Sequence, residues 1–238
     1  MAPPARLPLV LLPALLCDED LYRAQIDAVA DLAAPQVITV AEPSLEAAAR
    51  LVLRRAPERF ALAGTSAGGN LALEVIAAAP SRILGLWLTG VNPGVHGDPA
   101  GARRLGDLAR AGGFEKVLDE LAARCIHDAG ARAATALATL RAMARRAGPD
   151  VFLRQSEAVI TRRDRTGVLE TLDVPTLLLW GRHDQFSPPD RAAAIAARLP
   201  SAHLEVLDDC GHLPTLERPA ESTAAVRAWL KRLTTRTD

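Results

Sequence analysis

The chain alternates short, continuously apolar runs with longer amphipathic segments. Six apolar runs occur, at 7–13, 36–40, 59–64, 83–90, 175–181 and 203–209. Apolar runs without polar alternation are typical of parallel strands that are covered on both faces of a sheet. The amphipathic segments lie near 19–33, 44–55, 68–79, 188–198 and 219–233. This alternation predicts an α/β fold with about six parallel strands and right-handed crossovers.

One interval, from Pro93 to Leu172, departs from this alternation. It contains Ala, Leu and Arg at helical spacing and no strand candidate, which predicts a helical insertion, 93–172, in a core formed by 1–92 and 173–238. Open α/β sheets bind ligands beyond the carboxyl ends of their strands, so we expect the inserted helices to form a cap there. Residues 93–168 carry 13 Lys or Arg against 9 Asp or Glu. These charges indicate either solvated helix faces or a surface that steers an acidic substrate or carrier.

Composition narrows the classes of function. Basic and acidic residues both total 28, so no overall charge attracts nucleic acid or an anionic membrane, and we expect neither as a partner.

The apolar stretch at 7–16 is broken by Pro13 and is followed by CDED, so we interpret it as a buried strand and not as a signal peptide. No apolar run is long enough to predict a membrane span. Cys17, Cys125 and Cys210 lack CxxC spacing, which favours a cytoplasmic protein over a disulfide framework or a zinc site.

The motif GTSAG, residues 64–68, fits the pattern G-x-S-x-G. An apolar run precedes it and a helical pattern follows, which is the strand–turn–helix context that the motif requires. A serine at the tip of so tight a turn projects its hydroxyl away from the sheet, and Gly64 and Gly68 omit side chains that would collide there. The pattern predicts that Ser66 is a nucleophile. The alternative is a glycine-rich turn that only packs a helix against a strand.

A serine hydroxyl is an effective nucleophile only when a base takes its proton and a third group orients that base. In α/β proteins with this motif the chain order is Ser, acid, His, with the acid and the histidine on loops after later strands. Asp184 and His212 each follow directly on an apolar run. We therefore predict a catalytic triad of Ser66, Asp184 and His212. Asp208 and Asp209, which are close to His212 in sequence, remain alternatives for the acid.

A serine nucleophile also needs amide donors for the negative oxygen of a tetrahedral intermediate, and the loss of one donor costs about 3–4 kcal/mol. The amide that follows the nucleophile, at Ala67, is the first predicted donor of this oxyanion hole. The second should come from the loop after the first strand, where we predict Leu15. The helix that begins beyond Ser66 adds the partial positive charge of its amino terminus.

These motifs resemble the α/β-hydrolase superfamily over nearly the whole chain. The segments GTSAGG, GRHDQFSP and CGHLPTLERP match its nucleophile turn, acid loop and histidine loop, and the insertion lies where these enzymes carry a cap. The likeness is closest to small bacterial carboxylesterases, including those that demethylate carrier-bound pimeloyl esters. These esterases commonly have His-Gly after the first strand, where this chain has Pro13-Ala14, and the difference bears on Leu15. The resemblance implies an α/β-hydrolase fold without the family's first two strands.

The motifs and the resemblance together predict a serine esterase that cleaves a small or aliphatic carboxylic ester through an acyl-enzyme. No metal or organic cofactor is expected, since the chain has no GxGxxG or P-loop. The same fold leaves open the hydrolysis of an amide, a lactone or a C–C bond, a cofactor-free perhydrolase, and, from another class, a non-catalytic small-molecule-binding protein.

The expected partner is a small-molecule ester, free or carrier-bound, and the neutral chain is compatible with a monomer or a homodimer. Leu16, Phe114 and Phe152 are candidates for an apolar acyl pocket, with ordinary core packing as the alternative for each. Aromatic residues make up only 3% of the chain, which disfavours an aromatic substrate recognised by stacking.

Overall fold

The computed structural model describes residues 6–235. Its sheet has six strands in the order β2-β1-β3-β4-β5-β6, and every neighbouring pair is parallel. The strands are β1 Leu7–Leu12, β2 Ala33–Val37, β3 Phe60–Thr65, β4 Ile83–Thr89, β5 Thr176–Gly181 and β6 Ala202–Leu207. The predicted α/β fold with a six-stranded parallel sheet is thus confirmed.

Residues 6–235 contain nine α-helices: α1 Arg23–Ala28, α2 Leu45–Arg55, α3 Ala67–Ala78, α4 Pro99–Arg110, α5 Phe114–Cys125, α6 Ala133–Ile160, α7 Pro189–Ala196, α8 Pro214–Glu217 and α9 Pro219–Thr234. The described part of the chain also has three short 3₁₀ helices, at Glu19–Tyr22, Pro80–Arg82 and Thr166–Thr171. In the same described range, no helix is both long enough and apolar enough to cross a bilayer.

Helices cover both faces of the sheet, which explains why its inner strands, β1, β3, β4 and β5, are almost entirely apolar. Along β1, Leu9 and Leu11 pack into the cluster that includes residues of α9, whereas Val10 and Leu12 pack into the cluster that includes residues of α2 and α3. All six residues of β3 are buried. Full burial of one large apolar side chain contributes about 1.5–3 kcal/mol. A strand that is covered on both faces is therefore stabilised by apolar residues along its whole length.

The second strand lies three residues earlier than predicted. The apolar run 36–40 suggested a strand there, but β2 begins at Ala33 and ends at Val37. Pro35, which lacks an N–H, lies within β2 opposite Leu9. The sheet tolerates this proline because β2 is an edge strand, where one side of the backbone needs no partner.

Residues 93–172 contain helices and no strand, as the sequence predicts. Helices α4, α5 and α6 follow β4, and the 3₁₀ helix Thr166–Thr171 leads back to β5. Helix α6 is broken at Gly148, whose φ of 79° is not helical, immediately before Pro149. A proline inside a helix removes a hydrogen bond and crowds the preceding turn, which explains the break. The division of the chain into a core and a cap domain stays a prediction.

Candidate active site

Ser66 occupies the turn between β3 and α3 in a strained conformation. Its φ is 54° and its ψ is −115°, a combination that costs a non-glycine residue about 1–3 kcal/mol. A Cβ atom on Gly68 would lie 2.0 Å from the Leu12 carbonyl oxygen, and one on Gly64 would lie 2.5 Å from the Gly68 oxygen. The Ser66 amide donates to the Thr89 carbonyl at 2.8 Å. The two glycines therefore let α3 approach β1 and β3 closely, with Ser66 held at the tip.

Asp184 and His212, which are 28 residues apart in sequence, meet at the carboxyl ends of β5 and β6. The distance between His212 Nδ1 and Asp184 Oδ2 is 2.7 Å, and both side chains are almost completely buried. The other carboxylate oxygen, Asp184 Oδ1, accepts from the amides of Phe186 and Ser187 at 2.8 and 2.9 Å. These three contacts fix the carboxylate and orient the imidazole.

The two alternative acids lie elsewhere. Asp208 is exposed and pairs with Arg182. Asp209 lies 3.6 Å from His127 and 3.5 Å from Arg218. Neither carboxylate contacts His212 among residues 6–235, whereas Asp184 does.

A buried carboxylate that the sequence analysis overlooked supports the histidine loop. Glu217 is 4% exposed, and its Oε2 accepts from the amides of His127 and Gly211, each at 2.8 Å, while its Oε1 accepts from the Leu213 amide at 3.0 Å. Burial raises the pKa of Glu217, and these hydrogen bonds oppose that rise. Glu217 thus holds both neighbours of His212 in the chain. In the sequence, Glu217 is visible only as part of the family motif CGHLPTLERP, and the motif alone does not assign a function to this glutamate.

Ser66 and His212 line one cavity of about 90 Å³. Leucine is the most frequent residue of its wall, and the leucines come from the loop after β1, from α5 and α6, and from the histidine loop: Leu15, Leu16, Leu118, Leu121, Leu140 and Leu213. Phe186 also lines it, with its ring 5.0 Å from that of His212. The leucines of α5 and α6 were not predicted, because nothing local in the sequence separates a cavity wall from a helix core.

Of the three predicted pocket residues, only Leu16 borders this cavity. Phe114 and Phe152 do not line it. Their rings lie 6.1 Å apart, and they pack with Leu16 and Val117 in a small cluster formed mainly by the inserted helices. This position favours the alternative reading, ordinary core packing, because a buried aromatic side chain has the same sequence pattern in a core and in a pocket wall.

The two predicted oxyanion donors belong to adjoining segments. Leu15 and Ala67 both border a second, smaller cavity of about 30 Å³, together with Gln155 of α6. Within residues 6–235, no protein acceptor receives the amide hydrogen of Leu15 or of Ala67, so both are available to a ligand. The Gln155 carboxamide accepts from the Leu16 amide at 2.9 Å and donates to the Val40 carbonyl at 2.7 Å. Gln155 therefore fixes the loop that carries Leu15.

Two cysteines border the cavity that Ser66 and His212 line, but both are poor nucleophiles. Burial raises the pKa of the Cys125 thiol to about 12 and that of Cys17 well above its usual range. Both thiols are therefore protonated at neutral pH, and a protonated thiol is unreactive. In the part of the chain that the structure describes, no group of three His, Cys, Asp or Glu side chains is placed to hold a metal ion.

Known proteins share this fold and sequence pattern. The family model described as alpha/beta hydrolase fold matches residues 48–219. A pimeloyl-[acyl-carrier protein] methyl ester esterase of Aromatoleum aromaticum is 28% identical over 204 residues, which are 77% of this chain and 79% of the relative. A thermophilic esterase from Thermogutta terrifontis superposes with a TM-score of 0.85 at 26% identity, over 95% of this chain and 90% of that chain. An enol-lactonase from Burkholderia xenovorans LB400 superposes equally well, with a TM-score of 0.85 at 20% identity, over 97% of this chain and 94% of that chain. The family model matches well over half of the sequence, and the chain therefore belongs to the alpha/beta hydrolase fold family.

Proposed function

We propose that this protein is a serine hydrolase that cleaves small aliphatic carboxylic esters through a triad of Ser66, His212 and Asp184. The observation that carries the proposal is the buried 2.7 Å contact between His212 and Asp184 beside the cavity that Ser66 also borders. Family membership supports a hydrolytic activity. The names of the esterase relatives support the ester bond as the target.

In this mechanism His212 donates its Nδ1 hydrogen to Asp184, so that Nε2 carries the lone pair. Nε2 takes the Ser66 proton as Oγ attacks the ester carbonyl, and the amides of Leu15 and Ala67 stabilise the oxyanion of the tetrahedral intermediate. The proton then passes from Nε2 to the departing alcohol, which leaves an acyl group on Ser66. A water molecule then attacks the acyl carbonyl as His212 takes its proton, and His212 passes this proton to Ser66 Oγ as the carboxylic acid leaves.

The shape and chemistry of the cavity support a short aliphatic acyl group. Its volume of about 90 Å³ is small beside the 300–1,000 Å³ that is usual for pockets of drug-sized ligands. The leucine-rich wall favours an alkyl chain through apolar burial, at about 0.8 kcal/mol per CH₂. We therefore expect kcat/KM to rise with each added carbon and then to fall once the chain fills the cavity.

Helices α4, α5 and α6 serve in this proposal as the cap over the active site. Leu118 and Leu121 of α5 and Leu140 of α6 line the same cavity as Ser66. The backbone of the insertion also contacts the histidine loop directly, because the His212 amide donates to the Cys125 carbonyl at 2.7 Å. The cap thereby excludes water from the acyl group and sets its length.

Two variant pairs test the triad. Ser66→Ala should abolish hydrolysis of 4-nitrophenyl butanoate and labelling by a fluorophosphonate probe, whereas Ser81→Ala, which changes an exposed serine, should leave both unchanged. Asp184→Asn should lower kcat by about 10⁴-fold, the loss typical of a triad whose histidine is held in the wrong tautomer. Asp208→Asn is its matched control, since Asp208 is exposed.

A wild-type protein that the probe does not label would contradict the proposal and favour a non-catalytic binding protein. A panel of ester, amide, lactone and C–C substrates separates the chemistries that the triad alone permits. Turnover of a lactone, an amide or a C–C substrate at least tenfold faster than of any open-chain ester would overturn the ester assignment while retaining the triad.

A further inference from the structure

Arg141 is the one charged side chain, apart from the catalytic histidine, among the described residues that border the active-site cavity. It lies on α6 between apolar residues of the wall, close to Leu140 and Ala144. Its side chain is 36% exposed, so the guanidinium is neither fully in solvent nor fully buried. A positive group at this position affects any substrate that reaches from Ser66 toward α6.

The hydrogen bonding of Arg141 is incomplete. Its Nη2 donates to Asp119 Oδ1 at 2.6 Å, but its Nε is buried and has no acceptor among residues 6–235. A buried donor without a partner costs about 1–3 kcal/mol, more when the group is charged. The Arg141 Nη1 group also has no protein acceptor among residues 6–235, and it can donate to a ligand anion.

Asp119 does not neutralise this site completely. Its side chain is 61% exposed, and ion pairs at such exposure contribute little because water and salt screen them. Asp119 Oδ1 accepts a hydrogen bond from only one of the five N–H groups of the guanidinium. Asp119 therefore leaves most of the Arg141 N–H groups without a protein acceptor among residues 6–235.

We infer that Arg141 forms an anion subsite, so that the preferred esters carry a carboxylate on the acyl chain, at the end remote from the scissile bond. This inference rests on the proposed function, because it takes Ser66 as the atom that attacks the ester. The leucines bind the methylene groups between the two ends, and the Arg141 guanidinium receives the carboxylate through charge-assisted hydrogen bonds. The preferred substrates are therefore half-esters of short dicarboxylic acids.

The test compares esters that have the same acyl length and differ in the terminal carboxylate. Monomethyl succinate is paired with methyl butanoate, and monomethyl adipate with methyl hexanoate, with acid release followed by titration at constant pH. For the wild type, kcat/KM should be higher for at least one half-ester than for its neutral partner. The preference should fall as ionic strength rises, because salt screens the partly exposed charge.

Arg141→Met removes the charge and keeps an unbranched apolar stem. It should lower kcat/KM for the half-esters by at least about tenfold, the scale of one charge-assisted hydrogen bond, and change that for the neutral esters less than about threefold. A purely structural arginine, whose stem only covers apolar surface, would give equal losses in both series. Equal losses, or no loss in either series, would overturn the inference.

Asp119→Asn provides a second variant that does not alter the cavity wall. Removal of the competing carboxylate should increase the half-ester preference about two- to fivefold, and an unchanged or reduced preference counts against the subsite. If the neutral esters are hydrolysed without discrimination, the subsite is wrong and the proposed function stands. If no ester is hydrolysed, calorimetric titration of monomethyl adipate into the Ser66→Ala protein decides the subsite independently. Binding that Arg141→Met abolishes supports the subsite, and the absence of binding refutes it.

Discussion

Replacement of Glu217 by glutamine tests how the fold holds His212 in place. The substitution retains the size of the side chain and removes its charge. In the wild type, Oε2 accepts two backbone hydrogen bonds and Oε1 accepts one. A glutamine whose carbonyl oxygen replaces Oε2 keeps the first two, but its NH₂ group then faces the Leu213 amide, and two donors cannot bond to each other.

The cost follows from these three contacts. Hydrogen bonds to a charged group contribute about 1.5–3 kcal/mol and neutral ones about 0.5–1.5, so the two retained bonds lose about 1 kcal/mol each. The unsatisfied Leu213 amide, which is buried, costs a further 1–3 kcal/mol or so. Against this, the neutral side chain avoids the desolvation that raises the pKa of Glu217. We expect the free energy of unfolding to fall by about 2–3 kcal/mol.

Equilibrium unfolding in urea measures this loss, with Glu221→Gln as the matched control. Glu221 lies four residues later, is 41% exposed and pairs only with Arg218 in the described residues, so its replacement should cost less than about 1 kcal/mol. The Glu217→Gln protein should also lose activity, because both chain neighbours of His212 depend on this carboxylate. Equal destabilisation by the two substitutions, or full activity in a destabilised Glu217→Gln protein, would refute the assigned function of the carboxylate.

Three other predictions concern the turn, the loop after β1 and a surface pair. Gly68→Ala places a Cβ atom 2.0 Å from the Leu12 oxygen and should cost about 1–3 kcal/mol or more in urea unfolding, whereas Gly167→Ala, with open space around the new atom, should cost much less. Gln155→Met leaves the Leu16 amide without its acceptor and should lower kcat at least about tenfold with little change in KM. Gln36→Met, at an exposed site, is the control and should leave kcat unchanged. An effect of Gln155→Met on KM alone would contradict a function in the oxyanion loop. A hydrogen bond from Arg227 lowers the pKa of Asp31 from its usual 3.8 to about 2. This carboxylate therefore stabilises the fold above pH 3.8, and its contribution is lost as the pH falls through 2. A carboxyl-carbon NMR titration of Asp31 with a midpoint near 3.8 would contradict this prediction.

The sequence predicts the sheet well because a strand buried on both faces is recognisable from its own residues. The run at 175–181 is apolar except for Thr176, and β5 occupies Thr176–Gly181. The exception is β2, where the apolar run at 36–40 predicted a later strand, whereas the observed strand begins at Ala33 and includes Pro35. Whether a proline is tolerated depends on which neighbour lies beside the strand, and the order of strands in the sheet is not a local property.

The candidate site, like the sheet, has residues that can be predicted from their own sequence context and residues that cannot. Ser66, Asp184 and His212 follow strands whose positions are evident from the sequence, and parallel strands bring their carboxyl ends to one edge. Glu217 and Gln155 could not be assigned in this way, because each acts through backbone groups that are distant in the chain: the amide of His127 lies 90 residues from Glu217, and the amide of Leu16 lies 139 residues from Gln155. Phe152 could not be assigned either, since apolar burial does not specify which cluster a side chain joins.

The contacts between the inserted helices and the rest of the chain lead us to expect that the insertion affects catalysis as well as substrate choice. Gln155 of α6 holds the loop of Leu15, and the Cys125 carbonyl at the end of α5 accepts from the His212 amide. Arg146 of α6 binds Asp18, just beyond the same loop, at 2.8 Å. A cap that only covered the substrate would alter KM when it shifted. Because this insertion bonds to the histidine loop and to the loop that carries a predicted oxyanion donor, a shift of α6 should also alter transition-state stabilisation, and therefore kcat.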